Sequence, residues 1–156
     1  MSGPNNYNQQ IIKQFRANGG TTDYPGPLVL LTTTGARSSQ PRTTPVAYSV
    51  DGAHLVIIAS AGGAPTHPDW YHNLVAHPMV TVELGSETFQ ARARVVAGAE
   101  RDRLYAQHAL ALGFSISDYR QKTTRQIPVI ILARMGYRWR SAWQDDGCLV
   151  AIARNT

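Results

Sequence analysis

Two arginines that lie close together in the chain are the residues best suited to bind an anion. Arg37 and Arg42 stand on either side of a predicted turn at residues 38–41. Guanidinium groups donate paired hydrogen bonds to phosphate or carboxylate oxygens, and nearby hydroxyl and amide groups would add donors. The spacing predicts an anion site, although charge alone favours a solvated hairpin edge that discourages aggregation.

A glycine-rich stretch is a second candidate for the same chemistry. Ser60, Ala61, Gly62 and Gly63 follow an apolar run, and glycine lets main-chain N–H groups approach a ligand closely. Paired glycines more often make a simple turn, which Ser60 would then cap. The residues alone leave both interpretations open.

The spacing of the histidines argues against a metal centre. His67, His72 and His77 recur every five residues, so on a helix they turn around its axis instead of sharing one face. His108 lies in an alanine-rich segment without carboxylate or cysteine partners at ligand spacing. We predict no metal, and for His108 a surface or partly buried structural role.

The overall charge favours anionic partners. The 156 residues carry a formal net charge of +5, which fits a phosphorylated cofactor, an anionic membrane surface or nucleic acid. The single cysteine, Cys148, excludes an internal disulfide and fits a reducing cytoplasm. No apolar run of about 18 residues and no secretory signal pattern is present, so we expect no spanning helix.

Hydrophobic periodicity and turn residues predict a chain of short strands with a few helices. Apolar residues at helical spacing predict an N-terminal amphipathic helix that ends at Gly19-Gly20. Asp51-Gly52 and Gly85-Ser86 predict two hairpins. We expect strands at 27–33, 43–50, 54–59, 78–84, 88–96 and 128–133, and further helices at 69–76 and 99–112.

This order of elements predicts a mainly β (α+β) fold. The strands are joined mainly by hairpins, and no alternation of strand and helix suggests a doubly wound sheet. The economical architecture is a small antiparallel barrel or curled sheet with peripheral helices.

Three stretches in order resemble the deazaflavin-dependent nitroreductase and quinone reductase family. They span roughly residues 28–134 and read LVLLTTTGARSSQPRTTPV, VIIASAGGAPTHPDWYHNLVAHPMVTVEL and YRQKTTRQIPVIIL. The resemblance implies a split β-barrel, like the FMN-binding split barrels, and coenzyme F-420 (an 8-hydroxy-5-deazaflavin) as cofactor. It also suggests an actinobacterial source. It leaves FMN as an alternative cofactor.

The resemblance also implies roles for particular residues. Arg37 and Arg42 would contact the phosphate and acidic tail of the coenzyme, and Thr44 and Pro45 would shape the entry. The remaining implied pocket residues are Ser60, Ala61, Gly62, Gly63, Pro68, Trp70 and Asn73. Trp70 fits equally well as a core anchor. Hydride transfer needs a donor for the atom that becomes negative, and Ser60 and Tyr119 are the candidates.

The implied activity is transfer of a hydride from the reduced coenzyme to a quinone, a nitroaromatic or another electron-poor acceptor. A non-catalytic protein that binds the coenzyme or a lipid is the alternative from another class. We expect no nucleic-acid partner, and the sequence permits a homodimer.

The chain divides into three predicted segments. Residues 1–26 form the N-terminal amphipathic helix and its lead-in, 27–134 the deazaflavin-binding split-barrel domain, and 135–156 a C-terminal extension of unknown role. The helix could pack on the barrel or lie on the inner membrane face, and packing is favoured.

Overall fold

The computed structural model describes residues 6–60, 66–113 and 126–135. These residues form three helices and seven strands. In chain order they are α1 (Asn6–Ala17), β1 (Leu28–Thr34), β2 (Pro41–Ala47), β3 (Ser49–Asp51), β4 (His54–Ile58), α2 (Asp69–Ala76), β5 (Met79–Leu84), β6 (Glu87–Val96), α3 (Gly98–Leu112) and β7 (Val129–Arg134).

All seven strands belong to one antiparallel sheet in the order β2-β1-β5-β6-β7-β4-β3. Neighbouring strands along the chain form the hairpins β1–β2, β3–β4 and β5–β6. Gly52 and Gly85 adopt φ values of 61° and 59° in two of the connecting turns, a region that glycine enters without steric cost. The predicted hairpins at Asp51-Gly52 and Gly85-Ser86 are therefore confirmed.

The remaining pairings join strands that are distant in the chain. Leu31 of β1 lies opposite Val82 of β5, and Ile57 of β4 lies opposite Ile130 of β7. β7 also pairs with β6 along six residues. Local turn residues do not predict these pairings. The pairings depend on apolar faces that meet only after the sheet curls.

The two edges of the sheet are consecutive in the chain. β2 ends at Ala47 on one edge and β3 begins at Ser49 on the other. Two residue steps span only about 7 Å, so the sheet must curl until its edges approach each other. The single strand predicted over 43–50 is wrong for this reason, since the chain leaves β1 and bends at Tyr48 to reach β4.

Alternating residues of the curled sheet build a core on each face of β4 and β7. Ile57, Ile130 and Leu132 point into the inner cluster, which α2 closes with Trp70 and Leu74. The residues between them pack outward against α3, forming a second cluster of Val56, Ile58, Val96, Leu104, Tyr105, Ile127, Val129 and Ile131. A mainly β curled antiparallel sheet with peripheral helices is confirmed.

The first helix packs on the sheet. Ile11 and Phe15 are almost fully buried, and the Arg16 guanidinium makes two hydrogen bonds of 2.8 and 3.0 Å to the Glu83 carboxylate of β5. This hydrogen bond raises the pKa of Arg16. The packed arrangement favoured from the sequence is confirmed. Among the helices of the described residues, none has the length and apolar character needed to cross a membrane.

Candidate anion-binding cleft

An open cleft of about 1300 Å³ lies at edge strand β2, between α1 and α2. The loop that joins β1 to β2 forms its rim, so strand, loop and two helices all contribute side chains. Its lining consists of Asn8, Gln9, Ile12, Gly35, Ala36, Arg37, Ser38, Pro41, Arg42, Thr43, Thr44, Asp69, His72 and Asn73.

The two arginines singled out from the sequence both line this cleft, and both are exposed. Neither guanidinium has a hydrogen bond or an ion pair with any residue in the described part of the chain. Five other arginines are each paired with a carboxylate: Arg16, Arg94, Arg101, Arg103 and Arg134. Arg37 and Arg42 thus keep their donors available for an anion that enters the cleft.

The loop that carries Arg37 is held by its own backbone. Gly35 N–H donates to the Gln40 carbonyl at 2.8 Å, and Ser39 N–H donates to the Gly35 carbonyl at 3.0 Å. A Cβ on Gly35 would collide with Ser38 Oγ, which accepts the Gln40 N–H at 3.1 Å. The turn predicted at 38–41 is therefore displaced: the loop covers 35–40, and Arg42 already belongs to β2.

Of the two residues predicted to shape the entry, the structure places one in the lining of the cleft. Thr44 lines the cleft, on the same strand face as Arg42 and the core residue Val46. Pro45 projects from the opposite face and is not part of the lining. Thr43, which was not predicted, lines the cleft and shares a 2.7 Å hydrogen bond with Thr32 of β1.

Asn73 is the part of α2 that reaches the loop. Its Oδ1 accepts the N–H of Ala36 at 2.9 Å, and its Nδ2 donates to Thr33 Oγ1 at 3.0 Å. The side chain lines the cleft and is only 8% exposed. The amide therefore connects α2 to the residue next to Arg37.

Two other predicted pocket residues, Pro68 and Trp70, lie outside the lining of this cleft. Trp70 is 9% exposed and belongs to the inner core cluster, which is the core-anchor alternative raised from the sequence. Pro68 precedes α2 in an extended conformation, and its carbonyl accepts the Tyr71 N–H at 3.0 Å. Neither residue lines the cleft.

The glycine-rich stretch is only partly described. Ser60 is half-buried directly after β4, following Ala59, whose N–H donates to the Pro128 carbonyl at 3.0 Å. Ser60 is not among the cleft residues. The other predicted members of this set, Ala61, Gly62 and Gly63, and the predicted donor Tyr119 lie outside the described residues.

Several cleft residues were not foreseen, yet the sequence carries a signal for them. Asn8 and Gln9 precede Ile12 by four and three positions, so all three share a face of α1. On α2, Asp69 precedes His72 and Asn73 by three and four positions, so these three also lie close together on one side of the helix. The three-and-four spacing of polar residues on two helices would have identified these faces.

The histidines form no metal site in the part of the chain that the structure describes. The rings of His67 and His72 lie 5.9 Å apart, with Tyr71 against both. His108 is 1% exposed on α3, so the expected surface or partly buried position is wrong. Burial lowers its pKa to about 4.

The arrangement of the cleft suits an elongated anionic molecule. The guanidinium groups of Arg37 and Arg42 offer charge-assisted hydrogen bonds, and the surrounding amide and hydroxyl groups offer neutral ones. The volume exceeds what an isolated phosphate would need and falls above the usual range for small-molecule pockets, because one side is open. The residues present therefore fit the phosphate and acidic tail of a deazaflavin coenzyme.

Known proteins share this chain's sequence and fold. A family model described as F420H(2)-dependent quinone reductase matches residues 7–134. The F420H(2)-dependent quinone reductase Rv1261c of Mycobacterium tuberculosis is 42% identical over 126 residues, which cover 77% of this chain and 85% of that protein.

Two solved structures agree with the sequence matches. A domain-swapped dimer is 34% identical, with a TM-score of 0.64, over 78% of this chain and 90% of the other. The F420-H2 dependent reductase FDR-A is 37% identical, with a TM-score of 0.61, over 68% of this chain and 93% of the other. The split β-barrel implied by the resemblance is confirmed.

The family model extends further towards the N-terminus than the three stretches that carry the resemblance. The sequence resemblance began near residue 28, whereas the family model begins at residue 7 and so includes α1. This extent agrees with the structure, in which α1 forms one wall of the cleft. With its helix, its seven-stranded sheet and the arginine-bearing loop all inside the match, the chain belongs to the F420H(2)-dependent quinone reductase family.

Proposed function

We propose that this chain reduces a quinone with electrons from reduced coenzyme F-420, and that the coenzyme's anionic tail binds in the cleft at β2. Membership of the family makes the chain an oxidoreductase that uses coenzyme F-420. The observation that carries the binding proposal is that Arg37 and Arg42 both line the cleft and that neither guanidinium has a partner among the described residues.

The tail of the coenzyme would be held by the loop and by β2. Arg37 and Arg42 would neutralise its phosphate and carboxylate charges, and Thr44 would add a hydroxyl donor. When bound, the reduced deazaflavin supplies a hydride as a two-electron donor, so the protein itself needs no redox group.

The chain would contribute orientation, exclusion of water and a proton donor. The buried inner cluster makes the interior of the barrel dry and apolar, and a low-dielectric environment strengthens any nearby hydrogen bond to developing negative charge. Ser60 at the end of β4 and Tyr119 are the proposed donors. The segment 61–63 is proposed to line the ring system, as the resemblance implies.

We propose a quinone as the physiological acceptor, because the family description names one. Reduction of nitroaromatics is a narrower proposal that depends on groups beyond the described residues. A second measurement with a nitroimidazole, run beside a menaquinone analogue, separates the two activities.

Two measurements test the proposal. Titration of the purified chain with oxidised coenzyme F-420 should show saturable binding at micromolar concentration, with weaker affinity for FMN. Reduced coenzyme should then be oxidised only when protein and the menaquinone analogue are both present. Saturable binding without turnover over a broad quinone panel would favour the alternative of a non-catalytic binding protein, and absence of binding would refute the proposal.

Assembly and location are further parts of the proposal. A relative that is 34% identical is a domain-swapped dimer, and we propose a homodimer, which sedimentation would test. A cytoplasmic location fits the single cysteine. Because Ile11 and Phe15 of α1 are buried against the sheet, contact with the inner membrane face would need another surface. Vesicle flotation of the full chain tests for that contact.

A further inference from the structure

The side chain of Asn73 links α2 to the loop that carries Arg37. One end of its amide accepts the Ala36 N–H at 2.9 Å, and the other end donates to Thr33 Oγ1 at 3.0 Å. Both partners belong to the segment where β1 runs into the loop. One side chain of α2 thus binds both the end of β1 and the start of the loop that forms the cleft rim.

Burial fixes the orientation of the Asn73 amide. Asn73 is 8% exposed and Thr33 is 1% exposed, so an amide that lost these partners would have little access to water. An unmatched buried polar group is costly, which holds the amide in the orientation that serves both partners. Replacement of Asn73 by an apolar residue would release the Ala36 N–H and leave it without its partner.

The position of Arg37 depends on this bond. Ala36 is its immediate neighbour, and the bonds between Gly35, Ser39 and Gln40 close the loop from the other side. The guanidinium therefore extends from a backbone held at both ends. A loop ordered before the ligand arrives does not have to be ordered by it, which favours tight binding.

We propose that Asn73 is a positioning residue that preorganises the Arg37 loop for its anionic ligand. The proposal rests on the proposed function for the identity of that ligand, and it extends it by assigning the buried amide a role through the loop. Direct contact between Asn73 and the coenzyme is the competing outcome, since the residue also lines the cleft.

Thr33 offers a test that avoids the cleft. It is not among the cleft residues, so Thr33→Val can alter binding only through its neighbours. We expect a roughly threefold weaker affinity for oxidised coenzyme F-420 in Thr33→Val and a roughly tenfold weaker affinity in Asn73→Leu. The Ala36 amide should exchange its hydrogen faster in Asn73→Leu than in the wild type.

A matched control separates positioning from loss of stability. Ser49→Ala removes a part-buried side-chain hydrogen bond at the other edge of the sheet, so it should lower the melting temperature without changing coenzyme affinity or Ala36 exchange. Asn73→Leu and Thr33→Val are therefore compared with it at matched fractions of folded protein.

A double-mutant cycle with Arg37→Ala separates positioning from direct contact. If Asn73 acts through the loop, Asn73→Leu should weaken affinity less than twofold further once Arg37 is gone. A full tenfold further loss would overturn the positioning role. Unchanged affinity and unchanged Ala36 exchange in both variants would also overturn it, with the proposed function intact. A wild-type chain that does not bind the coenzyme overturns the proposed function, and this inference with it.

Discussion

Ser49 Oγ and His108 Nδ1 lie 2.7 Å apart, which joins edge strand β3 to helix α3 across 59 residues of sequence. His108 is almost fully buried, and its burial lowers its pKa from 6.5 to about 4. The ring is therefore neutral at physiological pH and acts as a polar connector between two elements. Neither residue lines the cleft, so the effects of this contact should appear in stability.

We predict that the free energy of unfolding falls as pH decreases from 6.5 towards 4. The unfolded chain takes up a proton on His108 in this window while the folded chain does not, so protonation favours unfolding. The full pKa shift of His108 corresponds to a loss of about 3 kcal/mol in the free energy of unfolding. Denaturant unfolding at several pH values measures it. The contribution of neutral His108 to the free energy of unfolding is complete above pH 6.5 and is lost progressively below it.

The variant His108→Leu should lose this part of the pH dependence. Leu110→Ala is the control, because Leu110 is exposed on the same helix and carries no titratable group, so its replacement should leave the slope unchanged. Equal slopes in His108→Leu and the wild type would show that His108 does not resist protonation in the folded chain.

We predict that Arg42→Ala weakens binding of coenzyme F-420 by about 1.5–3 kcal/mol, the range for a hydrogen bond to a charged group. Arg42 lines the cleft and has no partner among the described residues, so the change removes a contact with the ligand and disturbs no internal pair. Fluorescence titration at fixed salt measures the dissociation constant.

Arg92→Ala is the control for this change. Arg92 is exposed on β6 and is not a cleft residue, but its loss lowers the net charge equally. Equal weakening in both variants would point to general electrostatic attraction, and an unchanged constant in Arg42→Ala would remove Arg42 from the site.

Replacing either of the two adjacent glycines after α1 by alanine should lower stability by different amounts. Gly19 and Gly20 both have positive φ, but a Cβ on Gly20 would lie 2.8 Å from the Cα of Gly85, whereas a Cβ on Gly19 would meet nothing within 4 Å. Gly19→Ala should therefore cost about 1 kcal/mol of stability through backbone strain alone. Gly20→Ala should cost at least about 2–3 kcal/mol, because backbone must also shift. Thermal unfolding of both variants measures the difference, and equal losses would contradict the close approach.

Features of the fold that depend on nearby residues were predictable from the sequence. The hairpins at Gly52 and Gly85 follow from turn residues that tolerate positive φ. The bend at Tyr48 was not predictable, because no glycine and no recognised turn pair interrupts residues 43–50. Only the pairing of β3 with β4 at the far edge reveals why the chain must turn there.

For the candidate site, the sequence could indicate residues but not what each of them contacts. Arg37 and Arg42 were found because their charge and spacing are visible in the chain, and family motifs pointed to Asn73. The motifs could not distinguish a residue that touches a ligand from one that supports the rim. Trp70 is an example: the motifs name it as a pocket residue, and its side chain belongs to the inner core cluster, so its contact with the coenzyme stays a prediction.

The wall formed by α1 provides the last prediction. Gln9 lines the cleft opposite the arginine-bearing loop, whereas its neighbour Gln10 is exposed outside the lining. A carboxylate at position 9 would repel an anionic tail, and two like charges a few ångströms apart near a protein surface interact by about 1 kcal/mol or more. Gln9→Glu should therefore weaken coenzyme affinity about fivefold or more, an effect that added salt reduces. Gln10→Glu adds the same charge one residue away and should change affinity little. If the two variants bind equally well, α1 is not a wall of the coenzyme site.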